Sequence, residues 1–196
     1  MERGEPRDAA NPPAVEAARP NAARPSSDAA ASDEPEPIAV PIQGTEHVRG
    51  RAAVKVKAPI ERVREAVLDF THYAEFMPHY KSCRVLSRTP AGGREVYMEI
   101  EALYGAVKMW AQIEVPRPTL ADGVEIYETQ FQKGNVKDFK AIWRLKKLDD
   151  ATTELALEVF LEPAIPMPAE LMNSENLSGS VKGVTAMRDR AEQAAR

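Results

Sequence analysis

From residue 82 onward the chain alternates apolar and polar residues through one short segment after another, and this period of two constrains the fold more than any other feature. Six segments carry it, at about 82–89, 94–103, 105–115, 123–132, 136–147 and 153–162. Turn formers part them: Pro90-Ala91-Gly92-Gly93, Tyr104-Gly105, Pro116-Arg117-Pro118, Gly134-Asn135 and Leu148-Asp149-Asp150-Ala151. Connections this short make neighbours antiparallel, because a parallel pair needs a long crossover. One face collects Val96, Met98 and Ile100, then Val107, Met109, Ala111, Ile113 and Val115, then Phe139, Ala141, Trp143 and Leu145, then Leu155, Leu157, Val159 and Leu161. The other collects Glu95, Glu99, Lys108, Gln112, Glu114, Lys140, Arg144, Lys146, Glu154 and Glu158. The sheet is expected to have one dry and one wet side.

A dry face must be covered, and the end of the chain supplies the cover. Pro168 opens a segment in which Leu177, Val181, Val184, Met187 and Ala191 recur at helical spacing, predicting a helix about 40 Å long at roughly 1.5 Å per residue. Ahead of the six segments, Val54 and Val56 alternate with Lys55 and Lys57 in a first strand over 48–57. Pro59 suits the start of a helix, with Val63, Ala66, Val67 and Phe70 at helical spacing as far as about Asp69. Thr71 is placed to cap a second short helix that Pro78 ends, turning Tyr73, Phe76 and Met77 inward. The expected class is α+β: one strand, two short helices, six antiparallel strands and a long C-terminal helix.

Residues 1–45 differ in kind. They hold eight of the sixteen prolines, eleven alanines and no aromatic residue, and so too little apolar bulk to offset the entropy of ordering them. They read as a disordered Pro/Ala-rich acidic tail ahead of a domain over 46–196. Four arginines against eight carboxylates give the tail the whole net charge of -4, leaving the domain neutral. That balance argues against nucleic acid as a partner, since such binding rests on neutralising phosphates. The absence of a long apolar run and of a signal-peptide core makes the cytoplasm the default compartment. A single cysteine, Cys83, forms no internal disulfide and reads as a core residue.

Several motifs carry a family resemblance: Ala58-Pro59-Ile60-Glu61-Arg62-Val63, then His72-Tyr73 with Phe76 and Pro78, then Cys83-Arg84-Val85-Leu86, with Trp143-Arg144-Leu145 and Thr153-Glu154-Leu155 on later strands. With the element order, residues 46–194 resemble the START and Bet v 1-like (SRPBCC) superfamily, in its polyketide-cyclase-like and coenzyme-Q-binding branch. The chain departs from that pattern at Ala74, at His79-Tyr80 and in the proline-rich run from Pro163 to Pro168. The resemblance implies a helix-grip fold: a curved, seven-stranded antiparallel sheet wrapped on the long helix, enclosing a tunnel for a hydrophobic small molecule.

On that reading the ligand contacts are Met98, Ile100, Met109, Ile113, Phe139, Trp143, Leu157, Met167, Leu171, Val181 and Val184, with Tyr73, Phe76, His79 and Tyr80 at the mouth. An aliphatic, methionine and aromatic lining binds by excluding water, at roughly 25 cal/mol per Å² of apolar surface. The dry face offers no convergent titratable groups, so no catalytic residue is assigned and the reading leans away from an enzyme. His47, His72 and His79 are too dispersed for a metal, and no cofactor motif is present. Lys133, Lys137, Lys140, Arg144, Lys146 and Lys147 form a basic run that suits either a solvated outer face or peripheral membrane contact. Trp110 and Phe160 fall on the wet face, marking an exposed contact patch or a register slip at a bulge. Three functions remain open: a carrier or sensor of a lipid, polyprenyl quinone or polyketide-like molecule, a polyketide cyclase or aromatase, and a ribosome- or protein-interaction module. Oligomeric state is open too.

Overall fold

The computed structural model describes residues 31–102 and 105–193. In chain order they form β1 (Ile38–Pro41), β2 (Val48–Val56), α1 (Ile60–Val67), a 3-10 turn (Phe70–His72), α2 (Tyr73–Phe76), β3 (Tyr80–Arg88), β4 (Arg94–Ala102), β5 (Val107–Val115), β6 (Thr119–Ala121), β7 (Val124–Glu128), β8 (Gln130–Gly134), β9 (Val136–Lys147), β10 (Thr153–Pro163) and α3 (Ala169–Gln193). All pairs of neighbouring strands are antiparallel. They join in two sets, β1-β2-β10-β9-β7-β6 and β3-β4-β5-β8, wrapped around α3 in a helix-grip fold.

Ten strands among the described residues stand where seven were expected: the three-residue β6 pairs with β7, and the other two additions have physical reasons. The segment read as one strand over 123–132 is two, because it changes sheet at Thr129. That residue's N–H donates to the Ala141 carbonyl (2.9 Å) while its hydroxyl accepts from the Ala141 N–H (2.8 Å), so one buried residue satisfies the backbone at the corner. The second reason is the chain boundary. The expected tail over 1–45 is too long: Ile38 to Pro41 pair with Arg51 to Val48, closing the edge of β2, and Ser32 bridges Val54. Ala31 is buried against Ala53 and Ala156 on the outer sheet face. Four residues flanked by prolines are too few to show alternation. The tail reading for residues 1–30 falls outside the described residues.

Inside the sheet the dry face stands as the alternation implies. Val96, Met98, Met109, Ala111, Ile113, Val115, Phe139, Trp143, Leu145, Leu155 and Leu157 share one core with Val63, Val67, Val184 and Met187 of the helices. Helix and sheet approach closely at two glycines. A Cβ on Gly50 would lie 2.0 Å from the Asn176 carbonyl oxygen, and one on Gly183 would lie 2.6 Å from Leu157 Cδ2. Asn173 and Asn176, one turn apart, fasten the first turns of α3. Asn173 Oδ1 accepts from Val48 N (2.9 Å), and buried Asn176 Oδ1 accepts from Leu161 N (2.9 Å).

The helical insert differs in one detail from expectation. Thr71 caps nothing; it lies inside the 3-10 turn that runs directly into α2, whose N-cap position is His72, without a side-chain cap. Tyr73, Phe70, Phe76 and Tyr80 form a ring cluster with centroids 5.1–5.5 Å apart, and the Tyr73 hydroxyl donates to the Val67 carbonyl. Asp69 joins the insert to α3, accepting from Arg190 (3.0 Å) and meeting His72 Nδ1 (2.5 Å).

The outer face is wet only in part. Phe160 keeps its outward register opposite Lys140 but is buried, with His47 packed over it; the bulge lies further on, at Glu162/Pro163. Trp110 is half-buried and stacks on Tyr97, which Arg84 covers. Neither ring forms an open apolar patch. Most of the basic run is neutralised where it stands: Lys137 pairs with Glu162, Lys140 with Glu128, Lys147 with Asp150, and Arg144 approaches Glu158.

Candidate functional site

A cavity of about 140 Å³ lies between the inner sheet face and α3. Its floor is β9 and β10, through Phe139, Ala141, Trp143, Leu157, Val159 and Leu161. The last residues of β4 (Ile100 to Ala102), Met109 of β5 and the insert's Met77 to Tyr80 make one wall; Met172, Glu175, Asn176, Gly179, Lys182 and Gly183 of α3 make the other. It exists because of what α3 lacks. Gly179 faces the sheet where a larger residue would take up the space, and a Cβ there would meet nothing closer than Val159 Cγ1 at 4.0 Å.

Of the residues expected to touch a ligand, Ile100, Met109, Phe139, Trp143, Leu157 and Met167 line this space, and His79 and Tyr80 stand at its rim. The others lie elsewhere. Met98, Ile113 and Val184 are solid core, Val181 packs against that core, and Leu171 is exposed on the outward side of α3. Tyr73 is buried in the ring cluster, with Phe76 beside it. Alternation identifies the inward face of each strand, but a cavity opens only along the part that α3 leaves uncovered.

The polar rim is the part that strand alternation misses. Glu101 follows Ile100 at the end of β4, where the rim bends around both residues, and Lys81 (3.1 Å) and Lys108 (3.9 Å) neutralise it. His79 has φ of 69°, a left-handed conformation uncommon for a residue with a side chain. Its carbonyl accepts from Glu101 N (2.8 Å), and its Nε2 accepts from Lys182 Nζ (3.4 Å). Asn176 is already committed to both backbone groups of Leu161. Burial, then the neighbouring Cys83, holds the Tyr80 phenol above its ordinary pKa, so it stays protonated. Burial also pushes the Cys83 thiol up to about 12, which makes it a packed core group rather than a reactive one.

Among the described residues no cluster of His, Cys, Asp and Glu could hold a metal ion, and no helix is long and apolar enough to cross a membrane.

Comparison with known proteins places this architecture. No curated protein matches the chain. Among solved structures, a STAR-related lipid transfer protein from Xanthomonas axonopodis is 17% identical with a TM-score of 0.70, covering 84% of this chain and 97% of its own. Human StAR-related lipid transfer protein 5 is 11% identical with a TM-score of 0.68, covering 86% of each chain. The Zhui aromatase/cyclase from a Streptomyces species is 20% identical with a TM-score of 0.58, covering 76% of this chain and 95% of its own. At these identities the likeness is one of fold. The model of the polyketide cyclase / dehydrase and lipid transport family matches residues 56–174, from the end of β2 into the first turns of α3, and the chain belongs to that family.

Proposed function

We propose that the protein is a carrier or sensor that holds a hydrophobic or amphipathic small molecule in the cavity between the sheet and α3. One observation carries the reading: an apolar hollow walled by Phe139, Trp143, Leu157, Met109 and Met167 is left open where the helix that should close it carries Gly179 and no side chain. A well-packed core leaves few voids larger than a water, and each costs stability, so a hollow of this size is a feature with a use. Its volume is near the roughly 150 Å³ of an apolar cavity that admits benzene. As it stands it takes a ring or a short alkyl segment; the flexible methionines at positions 77, 109, 167 and 172 let it widen for more. The family's lipid-transport members and the lipid transfer proteins of the same fold support this reading.

Native mass spectrometry of the full chain, followed by organic extraction, tests it. A stoichiometric hydrophobic adduct, or a thermal shift with apolar ligands, is the expected result. A protein that is reproducibly empty and indifferent to every such compound would sink the carrier reading and turn attention to partner capture.

A cyclase reading has one observation in its favour, the His79–Lys182 contact with Tyr80 beside it at the mouth, residue types that can transfer protons. It requires turnover of a polyketide-like chain that a His79→Ala variant loses.

A further inference from the structure

The uncommitted polar groups on the cavity wall differ in chemical kind. Glu101 is held between Lys81 and Lys108, and the Asn176 amide is spent on Leu161. What remains toward the mouth is cationic or donating. Lys182 has no carboxylate within ion-pair distance among the described residues; its one contact is the acceptor nitrogen of His79. Tyr80 and Trp143 line the cavity, and neither side chain makes a hydrogen bond to any described residue. Each carries a donor that no acceptor among the described residues competes for.

His79 strengthens the pattern. A non-glycine residue in the left-handed region is a local cost that surrounding contacts must hold, and here they come from Glu101 N and Lys182 Nζ. The contact holds the exposed lysine ammonium at the lip of the cavity. Glu175, the remaining unpaired charge on the wall, sits two helical turns away on α3, roughly 10 Å along the axis.

We propose that the cavity selects amphiphiles with an anionic, hydrogen-bond-accepting head, a carboxylate or a phosphate monoester, seated at Lys182 and His79 with the apolar end running inward over Trp143 and Leu157. This rests on the carrier reading above and names the class of its ligand. Both source chemistries present the same oxygen acceptors and charge, and either is matched by an ammonium donor at the rim.

Isothermal titration of the full chain with four ligands sharing one ten-carbon tail tests it: decanoate, decyl phosphate, decanol and decylamine. At least one anion should bind about tenfold or more tighter than decanol, the effect of one charge-assisted hydrogen bond, and decylamine should bind weakest. Whichever anion binds tighter identifies the head. Lys182→Met, at an exposed position where folding is not at stake, should bring the anions down to the affinity of decanol; Lys55→Met, exposed on β2 and away from the cavity, should leave the preference intact. Equal binding of decanol and both anions, tightest binding of decylamine, or a preference that survives Lys182→Met would overturn the head-group assignment while the cavity reading stands. Failure of all four ligands, decanol included, would overturn both.

Discussion

Two single residues carry more of the fold than their size implies. Gly50 lies where β2 meets the α3 backbone, and a methyl group there would sit 2.0 Å from the Asn176 carbonyl oxygen. Backbone cannot yield as a side-chain tip can, so Gly50→Ala should cost at least about 2 kcal/mol in a urea melt. Glu158 is the second. Its side chain is 7% exposed on the outer sheet face, 2.9 Å from Arg49 and 3.6 Å from Arg144. Burial lowers the Arg144 pKa against the pull of that carboxylate, which shows how tightly the guanidinium depends on it. Glu158→Ala would strand partly buried cations, and the expected loss falls toward the lower end of the roughly 3–5 kcal/mol seen when one half of a buried pair is removed. A Glu158→Ala variant as stable as the wild type would show instead that solvent reaches both arginines. In the sequence Glu158 is indistinguishable from its alternating neighbours, because burial of an outward position depends on which side chains of adjacent strands close around it, here Arg49 and Arg144.

Among the elements, the joint between the helical insert and α3 should respond to pH in both directions. Burial raises the Asp69 pKa, but His72 and Arg190 outweigh it and hold the carboxyl below its ordinary value. Asp69 in turn holds the His72 imidazole above its own. The carboxylate's contribution is present above its unfolded pKa, near 3.8, and is lost as pH falls through the depressed folded value. The imidazolium's is complete below its unfolded pKa, near 6.5, and is lost as pH rises through the elevated folded value. The stability difference between wild type and His72→Gln should therefore be largest between those two ranges and shrink on either side. Chemical denaturation across pH 3 to 9 reads this directly, and a flat difference would remove the joint's electrostatic role. Both short helices and the long one were legible from apolar spacing; this joint was not, because residues 69 and 190 lie far apart in the chain and meet only after α3 docks.

At the scale of the molecule, the inward strand faces, the covering helix and the family resemblance were all readable, since period and turn chemistry are local. The two-set sheet and the early start of the fold were not, because Thr129 and the Ile38–Pro41 edge acquire meaning only through pairing with β9 and β2. The cavity itself depends on Gly179, which in sequence is one helix-weakening residue among others. That residue now offers the most direct test of the central claim, that the hollow under α3 is a ligand site. Leucine at 179 would start at contact distance from Val159, extend into the hollow and relieve a helical glycine worth roughly 1 kcal/mol against a good helix former. Thermal melts of the wild type and Gly179→Leu, each with and without decanoate and decanol, should show a variant that melts at or above the wild type alone but no longer shifts with either ligand. Equal ligand-induced shifts in the two proteins would place the binding site somewhere other than this cavity.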